Sequence, residues 1–299
     1  MELFKTFFQA MGGHCEIQLA APNRELADKY SRLAIDEVLR IESKYSRYRP
    51  DSFVSRINDA AGSGNPVICD DETQWLLDYA DTLFRSSDGL FDITSGVLRR
   101  AWDFKEKKIP SDAELKPILD LIGWQRVERG KNSIHLPVAG MEIDFGGFGK
   151  EYAADRAAAL ISSEGVRHAY INLGGDIRAV GPQPDGKPWV IGIKDPRKVD
   201  GIVATIPIES GALATSGDYE KYFEKDGARY CHILNPFTGR PVNHWRSVSV
   251  VAPVAIAAGS YSTIAMLKEA DGAAFLDKMG FQYFCIDQAG QYKSRSASL

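Results

Sequence analysis

Two paired-glycine turns constrain this chain more than any other feature: Asp144-Phe145-Gly146-Gly147-Phe148-Gly149-Lys150 and Asn172-Leu173-Gly174-Gly175-Asp176. Each follows a short apolar run and carries an acid. Adjacent glycines let the backbone reverse sharply and let its N–H and C=O groups meet a ligand with no Cβ between them. The first turn opens into Lys150 and an alanine-rich stretch, Tyr152 to Ile161, that reads as a helix. The N-terminus of that helix would present free N–H groups to an anion. A phosphate-rich ligand is the expectation; two tight turns between strand and helix are the bland alternative.

With 299 residues, 44% of them apolar, the chain can bury a substantial core. Its 36 basic and 40 acidic residues leave a net charge of −4. No overall positive field exists to hold nucleic acid or an anionic membrane, so any phosphate must be held locally. Cys15, Cys69, Cys231 and Cys285 stand alone, without metal-ligand spacing, which fits a reducing compartment. The opening Met1-Glu2-Leu3-Phe4-Lys5 shows no basic segment followed by an apolar one. A cytoplasmic protein is expected, although a trimmed exported one would read the same. Ser247 to Leu267 runs 21 residues without a charge, long enough to span a bilayer. Pro253, Gly259 and a strand-like first part point instead to strand, turn and buried helix, with no membrane span.

Leu3 to Leu19 reads as two strand pieces around Met11-Gly12-Gly13. Pro22-Asn23 should cap an amphipathic helix from Leu26 that ends near Tyr48-Arg49-Pro50. A second helix is expected over about Glu72 to Ser86, with Trp75, Leu76, Tyr79 and Leu83 inward and Gly89 as its C-cap. The Lys105-Glu106-Lys107-Lys108 cluster reads as a solvated loop. Beyond Gly165, strands are expected over 168–171, 189–193, 202–206, 228–234 and 247–251, then helices near 258–269 and 272–279. This mixture argues for an α+β fold with antiparallel sheets rather than a βαβ series. Residues 1–299 are expected to form one domain, any two-lobed division falling near Gly165.

His232 lies where a strand runs into Asn235-Pro236, and alternation would set it on the face of Leu234. A lone histidine is more often structural than catalytic. Ala214-Thr215-Ser216-Gly217-Asp218-Tyr219 combines two hydroxyls, a glycine and an acid, a set suited to ribose or phosphate oxygens.

Together these segments resemble the ApbE family, the FAD:protein FMN transferases. The resemblance covers almost the whole chain: Met11-Gly12, Tyr48 to Ser52, Phe91 to Thr94, Asp144 to Lys150, Asn172 to Asp176, Ala214 to Tyr222, His232 to Gly239 and the last apolar helix, in family order. It implies two T-fold-like halves around a flavin site. It also implies a transferase that binds FAD with Mg²⁺ at the pyrophosphate and moves FMN to a threonine hydroxyl of an acceptor flavoprotein, releasing AMP. By position, Met11, Tyr48, Leu90, Phe91, Asp92, Asp144, Lys150 and Leu234 would contact FAD. The Gly147 carbonyl and Thr263 would hold the metal. The proton acceptor stays open among His232, Asp144 and Asp218.

In one place the chain departs from that pattern. The family's metal-ligating aspartate, four residues before the threonine, falls on Gly259. Mg²⁺ favours hard oxygens and at least one carboxylate, so the expectation is a weakened metal site that Gly259→Asp would repair. A flavin carrier without chemistry and an FAD pyrophosphatase are therefore alternatives. The family is mostly exported, whereas this chain's start points to a soluble acceptor in the cytoplasm. An exposed sheet edge would permit a dimer.

Overall fold

The structure, a computed structural model, describes residues 1–296. Strands β1 (Glu2–Ala10) and β2 (Gly13–Ala21) form a hairpin. The turn takes positive φ at Met11 (53°) and Gly12 (74°), which glycine adopts freely and methionine does not. Helix α1 (Arg24–Tyr45) starts at Asn23, whose side chain accepts the Leu26 N–H at 3.0 Å; such a cap contributes about 1 kcal/mol. It ends three residues short of Tyr48, because Ser46 turns to extended geometry and Pro50 disfavours helix at Arg49.

Helix α2 (Phe53–Asp59) and strand β3 (Val67–Ile68) lead to α3 (Asp71–Ser86). Leu76 and Leu83 are buried as expected, but Trp75 is 50% exposed. Leu76, Leu77, Ala80 and Leu83 already fill the inward stripe. Trp75 sits at its margin, stacked on Tyr79 and tilted against Tyr152. The C-cap is Ser87 rather than Gly89. Asp88 takes the left-handed position, φ 60°, and Gly89 follows, donating its N–H to the Phe84 carbonyl at 2.8 Å. The lysine-rich cluster is an exposed turn before α4 (Asp112–Leu119), followed by β4 (Glu128–Gly130) and β5 (Ser133–His135).

Helix α5 (Gly149–Ser163) follows the first glycine turn, and β6 (Ala169–Leu173) and β7 (Asp176–Val180) flank the second. Next come β8 (Trp189–Lys194), β9 (Ile202–Ile208), β10 (Gly211–Gly217), β11 (Tyr222–Lys225) and β12 (Ala228–Cys231). β12 ends before His232, so the expected alternation breaks: Leu234 packs beside Leu98 and Trp102 while His232 stays exposed. The chain closes with β13 (Trp245–Ala252), α6 (Ala255–Leu267), α7 (Gly272–Met279), β14 (Gln282–Asp287) and β15 (Tyr292–Arg295). The uncharged stretch is thus strand, turn and helix, and no described helix is long and apolar enough to cross a membrane.

Eight strands form one sheet in the order β1-β2-β6-β7-β10-β13-β14-β15, all antiparallel, running through both sides of Gly165. Alternation in β6 buries Ala169, Ile171 and Leu173, and Cys15, Ile17 and Leu19 of β2 do the same. Helices α1, α5 and α6 cover that face. The β8–β9 hairpin closes a smaller core around Trp189, Ile208 and Leu213. All four cysteines are buried and free.

Candidate functional site

Strand order decides what meets at one end of the sheet. β2 pairs with β6 so that Cys15 faces Leu173, which sets the Met11–Gly12 turn beside Gly174–Gly175. The Gly174 N–H donates to the His14 carbonyl at 3.2 Å. Gly174 and Gly175 both have positive φ, 61° and 104°, a conformation that favours glycine. Asn172 fixes the turn by accepting the Gly175 N–H at 2.8 Å. On the other side, β7 pairs with β10, and the Thr215 N–H donates to Asp176 at 3.2 Å.

The first glycine turn delivers α5 to the same place. Lys150 Nζ lies 2.6 Å from Asp176 Oδ2. Burial works against the lysine's charge, yet the Asp176 carboxylate prevails and holds its pKa above the usual range. Lys150 is therefore a fixed cation beside a glycine turn. The α5 N-terminus carries no side-chain cap. Phe148 and Gly149 N–H groups both bond to the Phe145 carbonyl, and the Gly147 carbonyl is not among the acceptors of this entry turn. Position 147 has to be small, since a Cβ there would lie 2.7 Å from the Phe91 ring.

Helix α6 brings hydroxyls. Ser216 Oγ lies 2.9 Å from Thr263 Oγ1 and 2.8 Å from Ser262 Oγ. Asp155 of α5 accepts the Ala255 and Ile256 N–H groups, both at 2.8 Å, and so caps α6 from outside. One turn earlier on α5, Glu151 lies against Gly259. A Cβ at 259 would stand 2.5 Å from Glu151 Oε1 and 2.7 Å from its carboxyl carbon. Glu151 Oε2 is buried with no hydrogen-bond partner. Burial, and then the Asp176 charge, push its carboxyl well above the ordinary range. A buried carboxyl group thus stands where a side chain at 259 would begin, a neighbour that sequence reading missed. Glu151 adjoins Lys150 in the first glycine motif, but nothing in the sequence tells that position 259 is its neighbour.

His232 stands over Lys221, its Nδ1 donating to the Lys221 carbonyl at 3.2 Å. That tautomer leaves Nε2 with a free lone pair. Although the residue is exposed, partial desolvation of its ring lowers its pKa to about 4; the Lys221 carbonyl opposes this, and the charges of Lys221 and Lys150 add to it. His232 is neutral at pH 7 and able to accept a proton. The other candidates are engaged. Asp144 accepts from Arg47 at 2.5 Å and from the Gly146 N–H at 2.9 Å. Asp218 accepts twice from Arg197, at 2.7 and 2.6 Å, and once from Gln288 at 2.9 Å.

The expected flavin contacts fall in three places. Met11 is half-buried at the hairpin turn. Tyr48 is exposed, with the Arg47 guanidinium 4.9 Å over its ring and bridging to Asp144. Phe91 packs on Gly147, and Leu90 lies half-buried beside it. Asp92 faces inward: its carboxylate takes the Thr94 N–H and hydroxyl at 2.7 and 2.6 Å and the Trp124 N–H at 3.0 Å. It organises the loop behind the site. Leu234 belongs to the small core with Leu98 and Trp102. A groove of about 500 Å³ opens beside Gly89 and Asp92, between Phe84 and Phe237.

A model of the ApbE family matches residues 11–285. The chain is 35% identical over 223 residues to the FAD:protein FMN transferase of Vibrio cholerae, an alignment covering 72% of this chain and 66% of the relative. The chain thus spans just under two thirds of that relative's length. Among solved structures it is similar to the ApbE protein of Thermotoga maritima, with TM-score 0.91 and 31% identity, covering 99% of this chain and 97% of that one. It is also similar to the apo flavinyl transferase ApbE of Pseudomonas stutzeri, with TM-score 0.87 and 26% identity, covering 99% and 95%. The family match over most of the sequence and the shared fold agree: this chain belongs to the ApbE family.

Proposed function

We propose that the protein transfers the FMN half of FAD to a threonine hydroxyl of an acceptor protein and releases AMP. The observation that carries this reading is the meeting of Lys150, beside the uncapped α5 N-terminus, with Asp176 of the second glycine turn. The names of the relatives support it. The phosphates of FAD would lie over the glycine turns, against Lys150 and the α5 N–H groups. The flavin would extend past Gly147 and Phe91 toward the groove between Phe84 and Phe237. The acceptor hydroxyl attacks the FMN phosphorus in line while His232 Nε2 takes its proton. The phosphorus–oxygen bond to AMP breaks, and AMP leaves with the electron pair.

Among the described residues no three His, Cys, Asp or Glu side chains converge on a metal ion. The residues present still fit one: the unpartnered Glu151 Oε2 is a buried acceptor on a carboxyl group packed against Gly259 of α6. The Gly147 carbonyl and Thr263 would hold Mg²⁺, which when bound neutralises charge on the breaking pyrophosphate. The flavin-carrier alternative drew its support from Gly259, and a carboxylate packed against that glycine removes much of it.

The test is covalent labelling. With FAD, Mg²⁺ and an extract of the cells that encode the protein, a fluorescent flavin band should survive denaturing electrophoresis and map to a threonine. FAD bound by the protein with no such band would favour the carrier.

A further inference from the structure

Helices α5 and α6 run antiparallel in a fixed register. Asp155 caps Ala255 and Ile256; four residues back on α5 and four on along α6, Glu151 meets Gly259. Gly147 lies four residues before Glu151, in the turn that leads into α5, and Thr263 four residues after Gly259 on α6. Two pairs thus fix one seam, and Glu151 is the carboxylate packed against Gly259 in it.

We infer that Glu151, reaching across this seam into the space Gly259 leaves open, is a carboxylate ligand for a divalent cation shared with Thr263 and the Gly147 carbonyl. The inference rests on the flavin-transfer reading for the role of that cation. Its physical basis is local. The Glu151 carboxyl group occupies the volume where a side chain at 259 would begin. Thr263 is four residues from 259, on the same helix face. Lys150 is already paired with Asp176 at 2.6 Å, so two carboxylates share one cation and Glu151 is left without a counter-charge. A buried charge of that kind is costly unless it is neutralised, paired or bound to a metal. The available donors, carboxylate, hydroxyl and carbonyl oxygens, are those that Mg²⁺ and Mn²⁺ take. Position 259 is glycine because Glu151 fills its side-chain space, and the carboxylate comes from the neighbouring helix.

Mn²⁺ binding, read by loss of the free-ion electron paramagnetic resonance signal, tests this on the whole protein with and without FAD, beside a separate FAD titration. Glu151→Gln keeps the shape and removes the charge. It should weaken Mn²⁺ binding on the order of 10- to 100-fold and leave FAD binding without metal unchanged. Gly259→Asp alone should bring no gain, because its side chain collides with Glu151. The exchange Glu151→Gly with Gly259→Asp should return Mn²⁺ affinity to within a few-fold of the parent. Mn²⁺ binding by Glu151→Gln at parental strength would overturn the inference and leave Glu151 a neutral packing residue. A misfolded Glu151→Gln would leave the decision to the exchange variant, whose failure to bind Mn²⁺ while folded also overturns it. A parent that binds Mn²⁺ but not FAD would overturn the flavin reading alone.

Discussion

Two buried carboxylates in this protein are treated in opposite ways. Asp218 receives three short hydrogen bonds from Arg197 and Gln288 and lies in a closed cluster that ties β10 to the end of β14. Glu151 is as deeply buried, yet one of its oxygens has no partner and the nearest cation belongs to Asp176. In the first arrangement both oxygens of the carboxylate are hydrogen-bonded to side chains of the fold itself. The second is incomplete, and it occurs where two glycine turns, an uncapped helix and three hydroxyls converge. A buried charge whose needs are met holds a fold together; one whose needs are unmet calls for a physical reason, and the convergence around Glu151 supplies a candidate.

Variants in the two regions should therefore separate activity from stability. The largest effect is expected for His232→Ala, which should slow FMN transfer by about 10²- to 10⁴-fold with little change in a urea melt; transfer at the parental rate would remove His232 from the proton-accepting role. Asp218→Ala should do the reverse. Removing one partner of a buried pair costs about 3 kcal/mol, visible as a lower urea midpoint, while FAD affinity stays constant. Gly259→Ala places a Cβ against Glu151 and should cost about 1–3 kcal/mol. In a Glu151→Gly background the same change should cost almost nothing, and equal costs in both would show that the two residues do not compete for space.

A smaller effect with the opposite sign is expected for Glu151→Gln without metal. Replacing an unpaired buried acid by an amide should leave stability unchanged or raise it by about 1 kcal/mol, checked by chelator-treated melts. The pH profile adds a last distinction. With its pKa lowered to about 4, His232 is unprotonated from neutrality down to about pH 5. The kcat/KM for FAD should therefore stay level to about pH 5 and fall only as the ring gains its proton near pH 4. An acid limb at the ordinary histidine value would contradict this environment.

Much of the scaffold is legible in local sequence. The spacing in α1 and α3, the Asn23 cap and the strand-turn-helix reading of Ser247 to Leu267 are all properties of neighbouring residues, and the structure bears them out. Errors occur where a distant segment decides the outcome. Trp75 fits the α3 stripe but lies outside because four smaller side chains already fill it. His232 was placed with Leu234 by alternation, but β12 stops at Cys231. Each glycine turn is legible singly, whereas the Met11–Gly12 turn reaches the second of them only because β2 pairs with β6 across about half the chain. Glu151 was invisible as a site residue for the same reason: its meaning comes from Gly259 on another helix.

The most direct measurement is AMP release from FAD by the purified protein, followed by chromatography with and without Mg²⁺ in an extract that supplies acceptors. AMP release should depend on Mg²⁺, appear in step with protein-bound flavin, and drop sharply in Glu151→Gln and His232→Ala. FAD binding by the parent with no AMP under any of these conditions would contradict flavin transfer.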